Sequence, residues 1–182
     1  MIFMYDLTLI KTNKDEAIAL AKKLGFSSIY FIDRSDLLKT VSNRNTNLNI
    51  IIGGSDELNR KAVSSKNTDV LLDPEPNVKD YINQINSGLN QVLCGLAYKN
   101  RVCIAFSMDR LNDSNMISKI MQNIRLCRKY KVKMLVFTLA NTRYELRAAH
   151  DLLALLKVLG MTPKEAIYAL DGINEIMKEK TI

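Results

Sequence analysis

Histidine is almost absent from this sequence: His150 is the only one. A metal centre built from several histidines is therefore ruled out. A Cys–His nucleophile pair would need His150 beside Cys94, Cys103 or Cys127, each of which falls in a predicted helix or strand. His150 itself lies on an apolar helical stretch, where a packed or solvated ring is the ordinary role. The cysteines are odd in number and show no CxxC spacing, so they read as buried thiols of a reducing cytoplasm. No run reaches the roughly 18 apolar residues of a membrane span. The apolar start, MIFMYDLTLI, lacks a basic segment and a small-residue cleavage site, which predicts a strand and not a signal peptide, with no membrane partner. Glycine and proline are few, and no GxGxxG or GxxxxGK[ST] loop occurs. Gly53-Gly54, between a predicted strand and helix, reads as a turn.

What is present is positive charge, unevenly placed. The net charge is +7. Residues 1–98 carry eleven Lys/Arg and eleven Asp/Glu, residues 99–182 fifteen and eight, and residues 99–147 alone eleven and three. That asymmetry points to an anionic partner, most often nucleic acid, against the alternative of a merely soluble basic surface. Its centre is the stretch 121–140, MQNIRLCRKYKVKMLVFTLA. A helix carrying Arg125, Arg128 and Lys129 runs through Lys131 and Lys133 into the apolar strand Met134–Thr138. Lys99 and Arg101 lead into another predicted strand in the same way. If the two strands are neighbours in a parallel sheet, Lys99, Arg101, Lys131 and Lys133 share its N-terminal rim. Arg143 and Arg147, beyond the second strand, then lie at the other end. Arg128 continues the apolar stripe Ile117, Ile120, Met121, Ile124, so it must emerge past the helix end, be paired, or face a ligand. Leu126 lies opposite that stripe.

Apolar spacing predicts strands over Met1–Leu7, Ser28–Ile32, Leu48–Ile52, Asp69–Leu72, Arg101–Phe106 and Met134–Thr138. It predicts helices over Lys14–Leu24, Ser87–Lys99, Ser114–Tyr130 and His150–Leu159, one or two helical turns over Asp36–Val41, and a helix after Ser55. A last helix starts from the capping box Thr162-Pro163-Lys164-Glu165 and runs to about Lys178. Alternating strands and helices argue for an α/β fold with a parallel sheet, open or closed into a barrel, forming one domain over 1–182. Asp6, Asp33 and Asp73 stand at strand C-terminal ends, the face where barrel active sites form. They are candidates for a Mg²⁺ site of a carboxylate-dependent phosphoesterase. The commoner role of such acids is to bind loop amides.

Three blocks carry a resemblance. Ser87-Gly88-Leu89-Asn90, with Leu96-Ala97 and Val102–Ser107, is similar to the SGLN…LA…VAIGFS pattern of the ribonuclease P protein component 3 family, archaeal relatives of a eukaryotic ribonuclease P/MRP subunit. Asn123–Lys131 resembles that family's NIRLCRKYK helix. Glu145-Leu146-Arg147, Asp151-Leu152 and Leu159–Thr162 resemble its ELR…DL…LGM block. The resemblance implies a distorted (β/α) TIM-like barrel related to the polymerase and histidinol phosphatase superfamily. It implies a subunit of the cytoplasmic endonuclease that removes 5′ leaders from precursor tRNA, working with the catalytic RNA, ribonuclease P protein component 2 and other protein subunits. The RNA would carry the chemistry with its own Mg²⁺, so this chain supplies no catalytic residue and binds no cofactor. Arg125, Arg128, Lys129 and Lys131 carry over as RNA- or partner-facing. The charge pattern adds Lys99, Arg101, Lys133, Arg143 and Arg147. The sequence departs from relatives at Gln84-Ile85-Asn86, which is uncharged, and at Leu139-Ala140, where relatives have Ser-Gly-Ala. Tyr5–Leu9 keeps the superfamily's Asp and lacks its histidines.

Overall fold

The computed structural model describes residues 3–38, 48–76, 80, 82, 85–111 and 113–181. Among them are seven short strands and seven helices: β1 (Tyr5–Thr8), α1 (Lys14–Lys23), β2 (Ser28–Phe31), β3 (Leu37–Leu38), β4 (Ile50–Ile52), α2 (Asp56–Ser64), β5 (Val70–Leu72), α3 (Gln91–Asn100), β6 (Cys103–Ser107), α4 (Met108–Leu111), α5 (Ser114–Lys129), β7 (Met134–Phe137), α6 (Ala149–Val158) and α7 (Pro163–Thr181). Every strand pair is parallel. One sheet is β1-β2, and the other runs β3-β4-β5-β6-β7 in sequence order. Beyond β7 the chain reaches β1: Leu139 N–H donates to the Leu7 carbonyl (3.0 Å) and Leu9 N–H to the Ala140 carbonyl (2.8 Å).

The strands β5, β6 and β7 are buried along their whole length, as parallel strands covered on both faces must be. Side chains alternate between two apolar layers. Leu7, Ile50, Val70, Leu72, Cys103, Ala105, Leu135 and Phe137 share one layer with Ile173 of α7. Ile51, Leu71, Ile104, Phe106, Met134 and Val136 face the other, against the remaining helices. Helix α7 thus covers the face that the shorter helices leave open. Met116, Ile120, Ile124 and Cys127 seat α5 in that outer layer, with Leu126 half-buried beside them.

Two expectations are corrected. The helix expected from Ser87 begins at Gln91, because Asn90 is its N-cap, accepting from Leu93 N–H at 2.9 Å, and Gly88 holds a left-handed φ of 74°. The helical turns expected over Asp36–Val41 give way, as far as Leu38, to a short 3-10 turn at Arg34–Asp36 and then β3, which pairs with Ile50-Ile51. Residues 39–41, like Met1, Ile2 and Gln84, lie outside the described residues. The capping box at Thr162 is present in both directions: Thr162 N–H donates to Glu165 (2.7 Å) and Glu165 N–H to Thr162 Oγ1 (3.3 Å).

Candidate nucleic-acid interface

Asp33 and Asp73 follow the ends of β2 and β5 as expected, but Asp6 is the second residue of β1, because that strand runs from Tyr5 to Thr8; all three are engaged with their neighbours. Asp6 is buried and accepts from the N–H groups of Leu7 and Thr138 (2.8 Å each) and from the Thr138 hydroxyl. Burial pushes its carboxyl up to about 6, against the lowering effect of those donors. Asp73 repeats the arrangement one strand pair away, taking the N–H (2.8 Å) and hydroxyl (2.7 Å) of Ser107. Burial raises it as well. Asp33 is exposed and pairs with Lys11 at 3.3 Å. Among the described residues no three His, Cys, Asp or Glu are placed to hold a metal ion, and His150 is exposed on α6. The donor set does not fit a resident metal centre. Gly53-Gly54 is a turn: Gly54 N–H donates to Asn59 (3.2 Å), and a side chain on Gly53 would strike Asn59 and Pro74.

A second buried polar group ties the loop after β5 to α2 and α5. Asn59 Nδ2 donates to the carbonyls of Pro74 (2.8 Å) and Gly88 (2.9 Å). Asn123 Nδ2 donates to Glu75 Oε1 (2.7 Å) and to the Ser87 carbonyl (2.8 Å). Glu75 is fully buried, and desolvation pushes its carboxyl up to about 8. Lys119, buried in the middle of α5, donates to the Pro76 carbonyl at 2.9 Å.

The basic residues divide into two sets. Arg128 makes a bidentate pair with Glu165, with Nε–Oε1 at 2.8 Å and Nη2–Oε2 at 2.5 Å, and it also donates to the Gly160 carbonyl. The guanidinium in turn holds the Glu165 carboxyl below its ordinary range. Arg128 is therefore a clamp between the end of α5 and the start of α7, which accounts for a charge at the end of an apolar stripe. Lys133 pairs with Glu175 (2.9 Å) and sits over the Tyr168 ring. Arg143 pairs with Glu16 in the first turn of α1, at the opposite end of the sheet from Lys133. Lys99, Arg101, Arg125, Lys131 and Arg147 are exposed and make no ion pair with any described residue, and Lys129 has only the neighbouring Tyr130 ring. Arg128→Ala is expected to lower stability by about 1 kcal/mol, the worth of a half-exposed bidentate pair after solvent screening. Thermal unfolding should show a Tm drop of about 2–4 °C for a chain this long. Arg128→Lys should not restore it, because an ammonium cannot make the fork.

Two of these unpaired cations, Arg101 and Lys131, stand at the rim where strands enter the sheet. Arg101, Lys131 and Lys133 line one cleft of about 260 Å³ with Tyr98, Glu175 and Glu179. Lys131 and Lys133 continue into a second, of about 270 Å³, with Arg128, Lys164 and Tyr168. Tyr98 and Lys164 are additions that charge counting along the chain did not select. Lys164 carries a signal all the same, a cation in the first turn of a helix, where the dipole disfavours it.

The two helices that deliver this rim end identically. After α3, Arg101 N–H donates to the Tyr98 carbonyl and Val102 N–H to that of Ala97; after α5, Lys131 donates to Arg128 and Val132 to Cys127. The ends of α1 and α6 use the same pair of bonds, through Gly25-Phe26 and Gly160-Met161. In all four, the residue that donates the first of the two bonds is left-handed. Glycine takes that conformation freely; Arg101 (φ 59°) and Lys131 (φ 58°) hold it at about 1–2 kcal/mol each. Strain of this kind is concentrated where function requires a side chain.

The site is thus a parallel α/β scaffold whose acids Asp6 and Asp73 are engaged in structural bonds, with the left-handed Arg101 and Lys131 exposed on an open rim. The family model described as RNase P subunit p30 matches residues 28–181, and the chain belongs to that family. It is 30% identical to ribonuclease P protein component 3 of Methanococcoides burtonii, over 88% of this chain and 78% of that one. It is 33% identical to the Methanosarcina mazei protein of the same name, over 72% and 54%, and 29% identical to that of Thermococcus kodakarensis, over 87% and 72%. The chain thus spans between about half and about three quarters of the length of these relatives. Its fold is similar to a chain in the cryo-EM structure of archaeal ribonuclease P with mature tRNA, with a TM-score of 0.76 and 21% identity over 97% of this chain and 90% of that one.

Proposed function

We propose that this chain is a protein subunit of ribonuclease P, the ribonucleoprotein that removes 5′ leaders from precursor tRNA. The observation that carries the reading is membership of the RNase P subunit p30 family over 28–181, with the unpaired cations on one rim as its physical counterpart. In this reading the catalytic RNA performs the cleavage with its own Mg²⁺. The chain holds and positions RNA, and it docks a second protein subunit, ribonuclease P protein component 2, in the cytoplasm. In this reading the strands form a distorted barrel: the segment after β7 is bonded to β1 and its continuation, Leu139 N–H to the Leu7 carbonyl and Leu9 N–H to the Ala140 carbonyl, and α7 covers the inner apolar layer.

Reconstitution on precursor tRNA tests this. The chain alone should cleave nothing, and adding it to the RNA and the other protein subunits should raise leader removal. Charge reversal at Arg101 and Lys131 should remove much of that gain. If four phosphates are neutralised, raising salt from about 50 to 200 mM should weaken RNA binding about 10²-fold. An activity indifferent to the chain would overturn the subunit reading, and a salt-insensitive affinity would overturn its electrostatic part.

A further inference from the structure

We propose that the rim between α3–β6 and α5–β7 is a seat for an unpaired RNA strand, in which Arg101 and Lys131 take phosphates and the Tyr98 ring stacks on a base. This deepens the subunit reading and rests on it.

Arg101 and Lys131 each stand three residues before Ile104 and Met134, which face each other in register. They are therefore equivalent positions in the two turns that lead into neighbouring strands, strands that lie about 4.8 Å apart within the sheet. Two strained caps with cations in place of glycine thus point to one local target. Tyr98, one helical turn before Arg101, is 58% exposed, and its hydroxyl bonds to no described residue. It lines the same cleft, whose apolar lining comes from Val102, Val132 and Ile176. Exposed aromatic rings beside cations are how proteins hold unpaired bases. In an A-form duplex the bases are stacked inside, and a ring on a protein surface has no base face to meet.

The acids of the cleft set its selectivity. Glu175 is spent on the Tyr168 hydroxyl (2.6 Å) and on Lys133 (2.9 Å). Glu179 lines the cleft without a bond to any described residue. It opposes phosphate entry, so Glu179→Gln should tighten binding.

The test is fluorescence anisotropy of the full chain with a labelled unpaired oligoribonucleotide and with the same sequence as a duplex. A 2-aminopurine base in the strand reports stacking. The unpaired strand should bind more tightly and its fluorescence should be quenched. Tyr98→Ala should weaken that binding about tenfold and abolish the quenching, and Tyr98→Phe should preserve both. Arg101→Gly with Lys131→Gly should flatten the log-log salt slope by about 1.4, the share of two single-strand phosphates, while Tm stays level or rises because the left-handed strain is relieved. Equal affinity for duplex and strand, no binding at low salt, or an unchanged Tyr98→Ala variant would each overturn the proposal. So would a Tyr98→Ala defect confined to assembly with the other protein subunits, which would assign the rim to protein. In each of these cases reconstitution that still depends on the chain would leave the subunit reading standing.

Discussion

Gly88→Ala should destabilise the protein by about 3 kcal/mol or more, whereas Gly95→Ala should stabilise it by roughly 0.5–1 kcal/mol. Gly88 is left-handed, and an added Cβ would overlap the Pro74 carbonyl group and press on Asn59 Nδ2. Neither backbone nor buried amide can yield, because Asn59 bonds both the Pro74 and the Gly88 carbonyls. Gly95 is inside α3, and a Cβ there meets nothing within 4 Å, so alanine brings only its better helix propensity. Asn123→Ala should resemble Gly88→Ala, at about 2–4 kcal/mol, because it strips a buried carboxyl and a buried carbonyl of their donor. Urea unfolding of the three variants decides the matter; a Gly88→Ala protein as stable as wild type would show that the 73–90 segment does not need this packing.

Stability should fall as pH rises from about 4.5 to about 8, and Glu75→Gln should remove most of the fall. Burial raises the Glu75 carboxyl from 4.5 to about 8 in the folded protein, so between those values the native state holds a proton that the unfolded chain has released. Fewer protons on the unfolded state mean a negative slope of unfolding free energy with pH. The stabilisation is complete below the unfolded value and lost by the folded one. Asp6, raised to about 6, adds the same sign over a lower window. From pH 5.5 to 8 the Glu75 share is about 2–4 kcal/mol. The geometry agrees with a neutral acid. Glu75 Oε2 and Asn123 Oδ1 are both buried without a hydrogen-bond partner, and they belong to two side chains already joined by one bond. A proton on Oε2 supplies the missing donor. Glutamine is permanently neutral, so the variant should be the more stable protein above pH 8, by urea unfolding across the range. Parallel pH profiles for variant and wild type would place the titration elsewhere.

Much of the fold was legible because it follows from local pattern. Apolar runs located six of the seven strands, and Ser114–Lys129 was readable as a helix from its apolar stripe. Strand β3, two residues long, has no signal of its own and exists by pairing with β4. The motif blocks could be recognised without their reasons. In Ser87-Gly88-Leu89-Asn90 the serine is buried at the Asn123 bond, the glycine meets Pro74, the leucine enters the core and the asparagine caps α3. In the helix block, the uncharged Asn123 is among the most constrained members, while Arg125 and Lys129 are exposed and make no ion pair with any described residue.

The sequence by itself determined the class of the protein. One histidine excluded a centre built from several histidines, the charge imbalance pointed to an anionic partner against a merely soluble basic surface, and the spacing of Lys99, Arg101, Lys131 and Lys133 placed a basic rim where two strands begin. Only the tertiary structure decided which charges remain available. Arg128, Lys133 and Arg143 meet Glu165, Glu175 and Glu16 across 37, 42 and 127 residues of chain, separations at which no periodicity reports a contact. The same holds for the basic stretch 121–140: its strongest candidate by pattern, Arg128, is a clamp. Lys131, set in a conformation that glycine usually takes, is exposed and makes no ion pair with any described residue.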